Sequence, residues 1–275
     1  MGDASGLVEG FAADGTRYRL QPGPGPVVVL VHGLGLDLDM WRFQRDVLAE
    51  DFTVLTYDLV GSGKSAKPAE TPSLSLFSDQ LARLLDALGI DRAAVAGFSL
   101  GGMIARRFAM DHPDRLWALA ILHSAYKRDQ AAHDAIQARV HQARENGPQA
   151  TVEAALGRWF SEAYREANPA VMDWVRDTIL ANDKAVYPGL YQVLVDGVDE
   201  LAAPEPPIAT RTLVMTGDED YGNSVEMANA IAAEIPDCST VILRGLRHMA
   251  MVEAPVSFND VLLTFLRDAN GAVAA

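Results

Sequence analysis

Cysteine is nearly absent from this 275-residue chain: Cys238 is the only one, so no intrachain disulfide can form and nothing points to an oxidising compartment. Basic residues are also scarce. Lysine and arginine number 23 against 37 aspartates and glutamates, a formal charge of −14, and long-range repulsion argues against nucleic acid or an anionic membrane surface as partner. No stretch approaches the ~18 consecutive apolar residues of a membrane span. The opening residues, "MGDASGLVEGFAADG", lack the basic start and apolar run of a secretory leader. Internal repeats and low-complexity tracts are missing too. A soluble cytoplasmic protein is expected, its 49% hydrophobic residues ample for a core.

What is present is a rhythm. Short apolar runs rich in β-branched residues recur at 27–32 ("VVVLVH"), 52–58, 93–98, 116–123, 211–217 and 239–245. Their apolarity is continuous rather than alternating, as in strands covered on both faces. Helical patterns lie between them: at 74–89 Leu81, Leu84, Leu85 and Leu88 fall on one stripe, and 225–235 reads similarly. Strand alternating with helix predicts an α/β fold with a doubly wound, mostly parallel sheet. Residues 7–20 read as a hairpin turning at Asp14-Gly15, an antiparallel edge.

The rhythm breaks after the sixth strand. From Ser124 to about Pro207 helical patterns run without a convincing strand, and Trp159, Phe160, Trp174, Tyr187 and Tyr191 concentrate there. Residues 125–207 are expected to form a helical cap inserted into a core made of 1–124 and 208–275. The proline-rich "APEPPIATRT" at 203–212 would act as a stiff return to the sheet.

Gly97-Phe98-Ser99-Leu100-Gly101 places a serine between glycines, at the junction of a predicted strand and a predicted helix. Two readings compete. The glycines permit a sharp, strained turn that exposes Ser99 as a nucleophile, or Ser99 merely caps the helix. In the first reading the Leu100 backbone N–H, at the positive helix end, is free to face an oxyanion.

A serine nucleophile needs a base and an acid that orients the base. Of six histidines, His248 follows the last predicted strand and precedes the final helix, which puts it over the strand ends. His112 lies past a helix end, and His133 and His141 lie on a polar helical stretch. His123 ends a strand but lacks a carboxylate nearby in sequence. Asp218, Glu219 and Asp220 follow an apolar strand; ordinary loop carboxylates are common in such places, and spacing favours Asp220. Ser, Asp, His is then the order along the chain expected of a hydrolase on a doubly wound sheet.

These segments together resemble the α/β-hydrolase fold family over nearly the whole length. "LVHGLGLDLDMW" at 30–41 is similar to its His-Gly-x-Gly loop, "YDLVGSGKS" at 57–65 to its Asp-x-x-Gly-x-Gly-x-Ser turn, and "GFSLGG" to its nucleophile elbow. The resemblance implies Ser99 as nucleophile, His248 as base, Asp220 as acid, an oxyanion hole from the Leu34 and Leu100 N–H groups, and His32 as a brace for its loop. It implies no cofactor and no metal. Val60 and Ser62 replace the commoner Arg and His of the turn, and Arg247 stands where a glycine often precedes the histidine.

Within the family, "GFSLGGMIARRFAMDHPDRL" most resembles the 3-oxoadipate enol-lactonase and small carboxylesterase branch, which implies hydrolysis of an ester or lactone of a small, largely apolar substrate. Carbon–carbon bond hydrolases, cofactor-free perhydrolases or haloperoxidases, and a triad-bearing ligand receptor stay open as alternatives. Trp41, His123, Tyr126, Trp159 and Met249 are expected to line the pocket, with Met103 and Met251 nearby, although any one of them packs core equally well. Lys127, Arg128, Arg158, Arg165 and Arg176 are scattered along the insertion and offer no basic cluster for a dicarboxylate. "VGSGKS" at 60–65 carries the tail of a phosphate-binding loop, but Asp58 stands where that loop needs its first glycine.

Overall fold

In a computed structural model the described residues are 6–274. Met1–Ser5, the start of the stretch read for a leader, lie outside them. Eight strands form one sheet: β1 (Val8–Phe11), β2 (Arg17–Gln21), β3 (Val27–Val31), β4 (Thr53–Tyr57), β5 (Ala93–Phe98), β6 (Leu116–Leu122), β7 (Thr212–Gly217) and β8 (Cys238–Leu243), in the order β1-β2-β4-β3-β5-β6-β7-β8. The first two are antiparallel, joined through a turn where Gly15 takes φ 81°, and β4, β3, β5, β6, β7 and β8 run parallel. The predicted α/β class, the parallel sheet and its antiparallel edge are all present.

The continuous apolar runs follow from two-sided covering. Along β3, Val29 and Val31 face one core while Val28 and Leu30 face the other, and all four are buried. The first core is closed by α2 (Leu74–Ala87) and α3 (Leu100–Asp111), the second by α1 (Arg42–Leu48) and α11 (Pro255–Ala274), with α9 (Val225–Ala233) and α10 (Ala250–Glu253) completing the two layers. Helix α2 begins where the Ser73 hydroxyl accepts the Leu76 N–H at 3.1 Å, and it buries Leu81, Leu84 and Leu85 as the stripe predicts. Leu88, at its C-terminal end, is only partly buried.

Between β6 and β7 the chain forms α4 (Gln130–Asn146), α5 (Val152–Trp159), α6 (Glu162–Ala167), α7 (Pro169–Leu180) and α8 (Tyr187–Glu200). This insertion is not an appendage with a core of its own. Ile136, Val140 and Leu190 join one sheet-face core, and Leu156, Val175 and Ile179 join the other. The parallel strands bring their C-terminal ends to one edge of the sheet, which is where open α/β sheets place their ligands. No described helix is long and apolar enough to cross a membrane.

Candidate active site

Ser99 sits between β5 and α3 with φ 55° and ψ −114°, and its side chain makes no capping hydrogen bond. The helix-cap reading is thereby overturned. Such backbone costs a non-glycine residue about 1–3 kcal/mol, and the glycines show what the turn requires. A Cβ at Gly97 would stand 2.0 Å from the Gly101 carbonyl oxygen, and one at Gly101 would stand 2.3 Å from the Val31 carbonyl oxygen. The turn is so close-packed that only hydrogen fits at either position.

His248 and Asp220 come from loops beyond β8 and β7. The His248 Nδ1–H donates to Asp220 Oδ2 at 2.7 Å, which leaves Nε2 as the basic nitrogen. Asp220 is 4% exposed, and its Oδ1 accepts the backbone N–H groups of Gly222 and Asn223 at 3.2 and 3.1 Å. Burial alone would raise its pKa. The neighbouring His248 charge and the N–H bonds from two imidazoles outweigh that and hold the carboxyl well below the ordinary range. Ser99, His248 and Asp220 line one cavity, together with Leu34. Neither the Leu34 nor the Leu100 N–H donates to a protein acceptor among the described residues, as an oxyanion hole requires.

The second imidazole is His123, and here the expectation is corrected. It does not line the cavity. It is fully buried behind Asp220, with φ 49°, and its Nδ1–H donates to the same Asp220 Oδ2 at 2.9 Å. Its carboxylate partner lies 97 positions away, supplied by the loop that follows the neighbouring strand β7. Burial lowers its pKa despite the bond to Asp220. His32, by contrast, uses both ring nitrogens, donating from Nδ1 to Gly33 O at 2.8 Å and accepting the Leu59 N–H at Nε2 at 2.9 Å. It braces the Leu34 loop as expected.

Of the other expected pocket residues only Trp159 reaches the cavity, its ring centroid 5.9 Å from that of His248. Trp41 and Met249 are completely buried in a sheet-face core, as are Met103 and Met251. Apolar residues close to the site in sequence point into the core because that is where apolar area is removed from water. Tyr126 turns its hydroxyl to Glu234 Oε1 at 2.6 Å, away from the cavity. The nucleotide reading finds no support: Asp58 fills the 57–65 turn itself, accepting the N–H groups of Leu38 and Lys64, both at 2.8 Å, where a phosphate would need to sit.

The expectation of scattered cations is also corrected. Arg128 and Arg158 meet at the cavity wall, joined by Arg139, and Thr151, Tyr187 and Tyr191 add hydroxyls. Sequence reading missed Arg139 altogether. Arg158 was legible in principle: Thr151, Ala155 and Arg158 share one face of α5 at helical spacing, and that face looks inward.

Arg247, the departure before His248, has a visible role. Its Nη1 donates to Gly157 O at 2.9 Å and Phe160 O at 3.0 Å, and Met249 N donates to Trp159 O at 3.0 Å. The histidine loop thus grips the segment that carries Arg158 and Trp159.

The pattern of the alpha/beta hydrolase fold family matches residues 26–255, and the chain belongs to that family. Hydrolases are among the proteins it resembles. It is 26% identical over 233 residues to the (E)-2-((N-methylformamido)methylene)succinate hydrolase of Acinetobacter baylyi, covering 83% of this chain and 85% of that one. Among solved structures, the enol-lactonase from Burkholderia xenovorans LB400 matches with a TM-score of 0.85 at 29% identity, covering 94% of this chain and 100% of that one. A thermophilic esterase from Thermogutta terrifontis matches at 0.79 and 27%, covering 96% and 99%.

Proposed function

We propose that the protein is a serine hydrolase that cleaves a carboxylic ester or lactone through an acyl-enzyme. The observation that carries this reading is the strained, uncapped Ser99 sharing a cavity with the Nε2 side of a His248 imidazole oriented by Asp220. Ser99 Oγ attacks the carbonyl carbon as His248 Nε2 takes its proton. The N–H groups of Leu34 and Leu100 stabilise the oxyanion. His248 then protonates the departing oxygen, and water, deprotonated by the same nitrogen, releases the acid and regenerates Ser99. Asp220 stays ionised throughout, which its low pKa supports. The similarity to an enol-lactonase and to an esterase supports ester and lactone carbonyls as the substrate class.

The test is labelling with a fluorophosphonate together with turnover of p-nitrophenyl butyrate. Stoichiometric labelling and multiple turnovers are expected, both lost in Ser99→Ala with the fold retained. Turnover that survives in Ser99→Ala overturns the assignment.

A further inference from the structure

The geometry points to a carboxylate-binding subsite on the insertion side of this cavity, formed by Arg128, Arg139 and Arg158, so that the substrate is an ester or lactone carrying a carboxylate on the chain beyond its scissile carbonyl. This rests on the reading of Ser99 as nucleophile for the position of that carbonyl. The subsite itself rests on the three arginines.

Each arginine comes from a different segment: Arg128 from the loop before α4, Arg139 from α4 and Arg158 from α5. All three are half-buried on the cavity wall. Arg128 is anchored by Nη1 to Leu194 O at 2.7 Å, and Arg139 by Nε to the Tyr191 hydroxyl at 3.1 Å. Those anchors use one N–H apiece of the five that a guanidinium carries. None of the three has a carboxylate partner among the described residues.

That is unusual for this chain. Acids outnumber bases 37 to 23, and Arg17, Arg19, Arg107 and Arg176 each hold acidic partners. The one acid on the cavity wall, Asp220, is committed to His248 and His123. Three mutually repelling cations gathered in a half-buried cavity are unfavourable until an anion joins them. Burial and the neighbouring Arg139 charge push Arg128 down to about 10, and burial lowers Arg158 as well. A guanidinium edge matches the two oxygens of a planar carboxylate. Ile136, Ala155 and Leu194 alongside suit a short carbon chain, and no lysine lines the wall among the described residues.

The experiment compares mono-p-nitrophenyl glutarate with p-nitrophenyl valerate, equal in chain length and differing in the terminal carboxylate. The wild-type kcat/KM ratio should favour the glutarate ester by about tenfold or more, the size of one charge-assisted hydrogen bond. Arg158→Met and Arg139→Met should each lower that ratio at least about tenfold, with Arg158→Lys retaining part of it because the charge remains. In parallel, calorimetry on Ser99→Ala should detect glutarate binding that weakens by about tenfold or more when Arg158→Met is added. A wild-type ratio at or below one, or a ratio unmoved by both methionine variants, overturns the subsite. So does Ser99→Ala binding inorganic phosphate in preference to glutarate. Valerate turnover without glutarate preference leaves the hydrolase standing and removes the subsite. Glutarate binding without turnover of either ester, or labelling of Ser99, removes the hydrolase and leaves the subsite.

Discussion

The two walls of the cavity are built on different principles. On the sheet side the participating groups are fixed in place: Ser99 by a turn with no room for a Cβ at Gly97 or Gly101, Asp220 by two backbone N–H donors, His248 by Asp220, and the Leu34 loop by the His32 ring. On the insertion side, Arg128 projects from the loop before α4 and Arg139 and Arg158 from helices, held by single hydrogen bonds or by none that reach a protein partner. In the proposed reaction the first wall holds the reacting atoms in place, which tolerates little movement. The second offers charge, and its long side chains adapt to what arrives. Chemistry and selectivity are thus separable, and substitutions on each wall should have different kinetic signatures.

The largest expected effect lies on the sheet wall. Asp220→Asn keeps the shape but removes the charge that selects the His248 tautomer, and kcat should fall about 10⁴-fold with KM little changed. Steady-state kinetics at neutral pH checks it. A rise in KM with kcat unchanged would place Asp220 in binding instead.

Next comes the turn itself. Gly101→Ala puts a methyl against the Val31 carbonyl oxygen, and overpacking of this kind costs about 1–3 kcal/mol. Urea denaturation should show that loss, together with a fall in kcat as Ser99 is displaced. A variant as stable as the wild type would show that the turn has slack and that the sheet wall is less rigid than its packing implies.

This division also governs what could be read from the sequence. The strands announce themselves because two-sided burial demands unbroken apolar runs, and the elbow because glycines must flank a serine where strand meets helix. Asp220 and His248 follow from chain order, since parallel strands deliver their following loops to one edge. Trp41 and Met249 were misplaced because nearness to a motif says nothing about which way a side chain turns, and apolar side chains turn inward. The arginines were missed for the opposite reason: residues at 128, 139 and 158 meet only after several helices pack, and no local period encodes that. His123 and Asp220 are similarly remote in sequence. Their meeting follows from the pairing of Leu122 with Met215 at the ends of β6 and β7.

A smaller effect is expected where the two walls are tied together. Arg247→Ala frees the Gly157 and Phe160 carbonyls and loosens the segment bearing Arg158 and Trp159. KM for the glutarate ester should rise about tenfold, in line with the loss of charged hydrogen bonds, while kcat changes by less than about threefold. If kcat falls and KM holds, the tie serves His248 and not the insertion.

The smallest and most diagnostic effect concerns His123, which belongs to the sheet wall yet touches no substrate. By donating to Asp220 Oδ2 it shares the carboxylate charge that His248 would otherwise have to itself. Removing the donor in His123→Ala should leave Asp220 less firmly held and lower kcat by about threefold at fixed pH. His123→Asn tolerates the positive φ and can donate in its place, so its kcat should stay near the wild type. Stability supplies an independent readout. Burial depresses the His123 pKa below the ordinary 6.5, so the unfolded chain binds a proton that the native state refuses, and stability is lost as pH falls below about 6.5. That loss should be shallower in His123→Ala, though not abolished, because buried His32 is depressed in the same way. An unchanged kcat in His123→Ala while the stability slope flattens would make His123 a packing residue with no hold on the dyad.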